Sequence, residues 1–296
     1  MEVPSFGFKN FGNTCYFNSL LQCIINCKFI MDFLINENKP SNELQLFFKE
    51  QFIKYIKIYN DEKDNEFKNE ISTFSFEVLK YLCKKYNHNI YQQQSTCEFF
   101  LYLIEELGIE HFFKIKHKID IHCKNCKNVS SSVDESFHFE MFDQNIDKID
   151  INDFIYSTHI IDDYKCSNCK TVSKAIYEKT AINISKYFVI ILNKYFNKEN
   201  ILFPNEFNLL VKDIDSQDNI LKTSERVNLE DKPEKCSWNN ISQIEHYGNI
   251  NSGHYMALCK RLSNVIKLDD EKVVFLDDCE ELYSTKNTYM IFYEKK

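Results

Sequence analysis

Cys15 stands where a polar, glycine-containing turn, Gly12-Asn13-Thr14, meets a segment with one apolar face, while Gly253-His254-Tyr255 and Leu276-Asp277-Asp278 lie near the other end of the chain. A thiol, an imidazole and a carboxylate are the parts of a cysteine hydrolase, whose nucleophile and base are close in space and distant in sequence. Asn13 or Thr14 can cap a helix beginning at Cys15, and a helix N-terminus favours the thiolate. His254 would be the base, with Gly253 leaving room for a substrate backbone beside the ring. If residues 255–261 and 272–276 pair as a hairpin across a polar connection, residues 262–271, Asp277 can lie beside His254 and orient it. By residue type alone His246, His138 and His159 stay open as the base, and Asp277-Asp278 reads equally as an acidic turn.

A second constellation is Cys123-Lys124-Asn125-Cys126 with Cys166-Ser167-Asn168-Cys169, two Cys-x-x-Cys turns separated by residues 127–165. Four thiolates from two tight turns make a tetrahedral, water-free and therefore structural zinc site. The competing reading, two redox dithiols, lacks the strand-to-helix context of that motif. Lys114, Lys116, Lys118, Lys124 and Lys127 make the vicinity basic, but Asp134, Glu135, Glu140, Asp143, Asp147 and Asp150 follow, so no nucleic-acid surface is sustained.

Elements that would position these groups follow from periodicity. Phe17, Leu20, Leu21, Ile24 and Ile25 recur on one helical face after Cys15, and residues 43–59 and 73–86 also read as helices, with the charged stretch 60–70 as a loop between them. Ser95-Thr96-Cys97-Glu98 is a capping box ahead of Phe99, Phe100, Leu103, Ile104 and Leu107. Beyond residue 115 the period shifts to strands, at 119–122, 136–142, 175–184, 187–193, 207–211, 242–246, 255–260, 272–276 and 289–293, and the polar segment 212–240 reads as a loop or insertion. Helices followed by strands without strand–helix repeats define an α+β class.

The 296 residues carry a net charge of −8, which disfavours nonspecific nucleic-acid binding. With 26 Phe and 17 Tyr the chain has ample material for a core. No secretory signal pattern opens it and no apolar run reaches membrane-spanning length, so a reducing, intracellular setting is expected for the 12 Cys, without a membrane partner.

Residues 7–22, Gly7-Phe8-Lys9-Asn10-Phe11-Gly12-Asn13-Thr14-Cys15-Tyr16-Phe17-Asn18-Ser19-Leu20-Leu21-Gln22, resemble the cysteine box of the ubiquitin-specific protease family. Gln93-Gln94-Ser95-Thr96-Cys97-Glu98-Phe99 resembles the glutamine-rich segment of that family. His246-Tyr247-Gly248 with Ser252-Gly253-His254-Tyr255 resembles its histidine box, and Phe275-Leu276-Asp277-Asp278-Cys279 and Thr288-Tyr289-Met290-Ile291-Phe292-Tyr293 resemble its final strands. The resemblance runs from residue 7 to 293, with every box in order.

It implies a papain-like cysteine protease fold with a helical thumb (1–112), zinc-knuckled β fingers (mainly 113–195) and a sheet-rich palm (mainly 196–296), all within one catalytic domain, 1–296. It implies Cys15 as nucleophile, His254 as general base, Asp277 as the residue orienting it, Asn10 as oxyanion donor and Asp278 in support. Gln94, Ser95, Glu98, Gly253 and Tyr255 would contact substrate, and Cys123, Cys126, Cys166 and Cys169 would hold one structural Zn2+. The implied reaction is thiol-dependent hydrolysis of the isopeptide or peptide bond after the C-terminal glycine of ubiquitin, through an acyl-enzyme. The partners would be ubiquitin and ubiquitinated proteins, with room for a larger regulatory complex, in the cytoplasm, the nucleus or both. The alternative is a catalytically weak ubiquitin-binding scaffold. Departures include Phe17 where Met is commoner, Val274 where a Trp frequently precedes, Asn193-Lys194-Tyr195-Phe196 as a loose version of a family strand, and Ser95 where the family usually has Asp.

Overall fold

The computed structural model describes residues 5–37, 39–59, 65–141, 151–192, 203–204, 206–211, 234–249, 252–261, 264–276, 282 and 285–296. Helices come first: α1 (Cys15–Ile25), α2 (Lys28–Asn36), α3 (Glu43–Tyr59), α4 (Asn65–Tyr86) and α5 (Thr96–Glu106). Every residue of α1 is buried, which suits its central place against the sheet. The stretch read as a loop at 60–70 is helical from Asn65 onward, as the first part of α4. At α5 the expected cap forms, with Ser95 Oγ accepting from the Glu98 N–H at 3.3 Å. Only half the capping box is made, since the Glu98 carboxylate takes the Tyr102 hydroxyl at 2.8 Å instead of reaching back.

Strands build two sheets. β1 (Ile115–Cys123), β2 (Val129–Ser136), β4 (Tyr156–Lys165) and β5 (Val172–Ile184) form a four-stranded antiparallel sheet in the order β2-β1-β5-β4. The eight-stranded sheet runs β11-β10-β9-β8-β12-β6-β3, with β7 also paired to β8. Its strands are β3 (Phe139–Met141), β6 (Tyr187–Leu192), β7 (Glu206–Val211), β8 (Glu234–Asn249), β9 (Ser252–Arg261), β10 (Asn264–Asp269), β11 (Lys272–Leu276) and β12 (Thr288–Lys295). All pairs are antiparallel except β3 with β6. A short helix, α6 (Asn152–Ile155), precedes β4. Within the segment assigned mainly to fingers, β3 and β6 thus belong to the larger sheet. Of the segment read as a loop at 212–240, residues 212–233 lie outside the described residues, and residues 234–240 are the start of β8.

Side-chain alternation in β6 divides the protein into two cores. Tyr187, Val189 and Ile191 face the helices, while Phe188, Ile190 and Leu192 pack with Trp238, Phe139 and Tyr293 on the opposite face. A strand buried on both faces reads as a continuous apolar run, as β6 does. The eight-stranded sheet is therefore a central layer, and α1 lies on β9 within the first core.

Glu106, at the end of α5, is buried and accepts hydrogen bonds from Lys85, from the Tyr86 hydroxyl at 2.8 Å and from the Tyr81 hydroxyl at 3.3 Å. Burial pushes its carboxyl up, but the bonds from Lys85, Tyr86 and Tyr81 outweigh that and hold it below its ordinary value. A carboxylate depressed in the folded state stabilises above its unfolded pKa of about 4.3 and loses that contribution as pH falls toward the folded value. Replacing Glu106→Gln should cost about 1–3 kcal/mol near pH 7, the scale of a buried hydrogen bond to a charged group. The gap to wild type should narrow below pH ~4.3. Urea unfolding across that range checks it, and a gap independent of pH would count against the ion pair.

Candidate active site

The segment before α1 is fastened to the turn between β10 and β11. Phe8 N–H donates to the Asp270 carbonyl at 2.9 Å, Asn10 Nδ2 to Asp270 Oδ2 at 2.8 Å, and Asn18 Nδ2 to Asp270 Oδ1 at 2.8 Å. Asp270 has φ of 51°, a left-handed conformation that Asp tolerates in tight turns. Gly7 lets the chains meet, since a Cβ there would lie 2.4 Å from the Glu271 carbonyl oxygen.

This docking brings Cys15 to β9. Burial raises the Cys15 thiol, opposed by a hydrogen bond from the Tyr255 backbone N–H, and Asp270 raises it further before the N–H groups of Tyr16 and Cys15 lower it. The net direction is upward, so helix-start activation does not prevail in the free thiol. Thr14 occupies the N-cap position without a side-chain cap bond to the helix. Its hydroxyl instead accepts from Phe11 N–H at 3.1 Å and lies 3.3 Å from Asn10 Oδ1.

His254 Nε2 lies 2.6 Å from Asp269 Oδ1 and 4.0 Å from Asp270 Oδ2. Asp277 and Asp278, the carboxylates expected from the sequence, lie outside the described residues. Residues 262–271, expected to be a polar connection, contain β10, whose Val265-Ile266-Lys267-Leu268 core pairs with β9. In an antiparallel pair the start of one strand meets the end of the next. His254 opens β9, so its neighbour is Asp269 at the end of β10. Leu276 pairs with Val265, which pairs with Lys260, so β11 ends level with the far end of β9.

The remaining expectations divide. Asn10 Oδ1 accepts from the N–H groups of Gly12 at 3.0 Å and Thr14 at 3.3 Å, so its amide is held in one orientation, with Nδ2 on Asp270. A primary amide has two N–H donors, and this bond uses one. At Gly253 a Cβ would meet His246 Nε2 at 2.0 Å, so the missing side chain makes room for that ring. His246 stacks on Tyr255 at 4.3 Å between centroids, and the Tyr255 ring is buried, leaving its backbone N–H as its contribution at Cys15. Ser95 is exposed, and Gln94 and Glu98 are half-buried. Sequence reasoning missed Asp269 and Asp270; the signal available was the Leu268-Asp269-Asp270 end of a short apolar run.

The four cysteines converge at one end of the four-stranded sheet. Cys123 Sγ and Cys169 Sγ are 4.0 Å apart and Cys126 Sγ and Cys166 Sγ 3.7 Å, close to the ~3.8 Å edge of a tetrahedron with zinc–sulfur bonds of about 2.3 Å. Both turns close alike, with Lys127 N–H on the Cys123 carbonyl and Lys170 N–H on the Cys166 carbonyl, each at 3.0 Å. Asn125 crosses to Cys169 at 3.6 Å and is the main cause holding that thiol down to about 6. The group can hold a metal ion.

Residues 6–293 match the family described as ubiquitin carboxyl-terminal hydrolase. The chain belongs to that family. Ubiquitin carboxyl-terminal hydrolase 20 of Arabidopsis thaliana is 21% identical, aligned over 98% of this chain and 43% of its own length. Probable ubiquitin carboxyl-terminal hydrolase 8 of Schizosaccharomyces pombe is also 21% identical, over 98% of this chain and 65% of its own length. The chain thus spans less than two thirds of either relative. Its fold matches a chain of the SAGA Ubp8/Sgf11/Sus1/Sgf73 DUB module bound to ubiquitin aldehyde, with a TM-score of 0.70, 18% identity, and coverage of 99% of this chain and 70% of that one. A structure of the module bound to monoubiquitin gives a TM-score of 0.71 at 18% identity, covering 99% of this chain and 69% of that one. This shared architecture is the papain-like fold of helical thumb, sheet-rich palm and β fingers.

Asp270→Ala should leave the buried Asn18 amide and the Asn10 amide without their shortest acceptors and cost about 1–3 kcal/mol of stability. Denaturant unfolding measures it. A loss below about 0.5 kcal/mol, typical of a surface site, would show that the carboxylate does not fasten the segment.

Proposed function

We propose that this chain is a thiol-dependent deubiquitinase that hydrolyses the isopeptide or peptide bond after the C-terminal glycine of ubiquitin through an acyl-enzyme. The observation that carries the reading is that Cys15 meets the Tyr255 backbone N–H and the charge of Asp270, while the adjoining His254 is paired with Asp269. Cys15 is the nucleophile. His254 uses Nε2 toward Asp269, leaving Nδ1 to take the thiol proton and later return it to the leaving amine. Asp269 fixes the tautomer and stabilises the imidazolium. The second N–H of Asn10 and the Cys15 backbone N–H stabilise the oxyanion as the tetrahedral centre forms. Water then attacks the thioester, and release of ubiquitin restores Cys15.

Ubiquitin as partner is supported by family membership and by the ubiquitin-bound proteins that share the fold. Gln94, Ser95 and Glu98, at the start of α5, would take the extended ubiquitin tail. A place in a larger complex is supported only by analogy with the SAGA module. Cys123, Cys126, Cys166 and Cys169 would hold one structural zinc that ties the finger tips together. The division into thumb 1–112, fingers mainly 113–195 and palm mainly 196–296, and an intracellular location in cytoplasm or nucleus, belong to the same proposal.

A ubiquitin C-terminal electrophile should add once, at Cys15, by mass spectrometry, and Cys15→Ala should abolish the adduct. Asp269→Asn should lower kcat/KM by about 10²–10⁴-fold, the span for losing general-base alignment. Asp277→Ala should change it by less than about threefold, under 1 kcal/mol. The opposite ranking would return the orienting role to Asp277, and ubiquitin binding without any turnover would select a scaffold.

Protein dialysed against a mild chelator should retain one zinc per chain. Cys126→Ser or Cys169→Ser should reduce it to none, and acid should release it as the thiolates take up protons. Full activity and order at zero zinc would contradict a structural metal.

A further inference from the structure

A third group of metal-type donors lies away from both sites. Cys97, in the first turn of α5, has its Sγ 3.7 Å from His138 Nε2 and 3.7 Å from Glu140 Oε1, and those two atoms are 3.2 Å apart. His138 and Glu140 flank Phe139 and project to the same face of the edge strand, which is how residues two apart on a strand converge. Phe100, one helical turn beyond Cys97, meets the His138 ring edge-to-face at 6.3 Å and holds it in place. His138 Nδ1 is buried without a hydrogen-bond partner, so the polar contacts of the ring run through Nε2 toward this cluster. Glu140 is partly exposed, which leaves one side open to water.

The separations lie within hydrogen-bonding range and also fit a tetrahedral zinc ion. Zinc bound tetrahedrally at about 2.3 Å from sulfur and about 2.0–2.2 Å from nitrogen and oxygen sets sulfur about 3.5–3.6 Å from the other donors and those two about 3.3–3.5 Å apart. Each observed distance lies within a few tenths of an ångström of these values. A thiolate and an imidazole select zinc over the oxygen-preferring Mg2+ and Ca2+. Three protein ligands leave the fourth position of a tetrahedral zinc to water.

We propose that Cys97, His138 and Glu140 form a second zinc site, with water as fourth ligand, that pins the start of α5 to the edge strand β3. Binding would release the Cys97 proton and form bonds from zinc to Sγ, Nε2 and a Glu140 oxygen, with no redox change. Cys97 shares the first turn of α5 with Ser95 and Glu98, so occupancy of the site would fix the segment offered to the ubiquitin tail, a consequence that rests on the proposed function.

The test begins with full-length protein stripped by a mild chelator to its tightly held zinc and titrated with zinc sulfate under calorimetry. Wild type should take up one further equivalent, and Cys97→Ser, His138→Gln and Glu140→Gln should each weaken it at least tenfold, whereas Cys15→Ser should not. Cobalt in place of zinc should give a thiolate charge-transfer absorption that Cys97→Ser removes and Glu140→Gln retains at higher metal concentration. Circular dichroism identifies a misfolded variant, and the exposed Glu140→Gln serves if the others fail to fold. No second equivalent in wild type, its persistence in Cys97→Ser and Glu140→Gln, or its loss in Cys15→Ser, which would place zinc at the reactive thiol, each overturns the proposal.

Discussion

Asp270 receives three hydrogen bonds from the other end of the chain, one at its carbonyl and one at each carboxylate oxygen. The Asn10 and Asn18 partners lie 260 and 252 positions away in sequence. Contacts of that range carry a large loop-closure cost, and they persist because both amides are charge-assisted donors at 2.8 Å. Everything at the site follows from this junction. It brings the start of α1 against β9, and the same turn supplies Asp269 to His254.

The thiol at the start of α1 is not acidic by position alone. Burial outweighs the N–H groups that point at it, and Asp270 adds an unfavourable charge. In the proposed mechanism His254 accepts the proton before an anion forms there, and Asp269, 2.6 Å from it, stabilises the resulting imidazolium. In that mechanism the carboxylate-held imidazole supplies the activation that the helix start does not. A buried thiol without such a base stays inert, as burial leaves Cys83, pushed up to about 11.

Two groups of metal-type donors differ in what their surroundings permit. The four-cysteine group sits on two like turns, closed by Lys127 and Lys170 N–H bonds to the Cys123 and Cys166 carbonyls, and Asn125 and Asn168 cross between them. That is a preorganised, closed set. Cys97, His138 and Glu140 come from a helix and a sheet edge that meet only through tertiary packing, and one side of the set faces solvent. Closed sets hold an ion for structure, while open ones leave a coordination position to water.

The helix start at Cys15, the two Cys-x-x-Cys turns and the Ser95 cap were legible in sequence because each rests on local chemistry: a helix start, a two-residue spacing, a hydroxyl three residues before an N–H. The helices-then-strands order was equally visible, since periodicity is a local property. Asp269 was not, because its place beside His254 depends on β10 being a strand, and the three apolar residues of that strand, Val265, Ile266 and Leu268, are interrupted by Lys267 and set among polar neighbours. Once β10 exists, antiparallel register places the end of β10 at the start of β9 and carries the end of β11 to the opposite edge. Gly253 shows the same division: the sequence marks a position that tolerates no side chain, and only packing reveals that the space belongs to His246. Residue type and spacing determined which groups could do chemistry; strand register, a nonlocal consequence of burying one face of each strand, decided which of them meet.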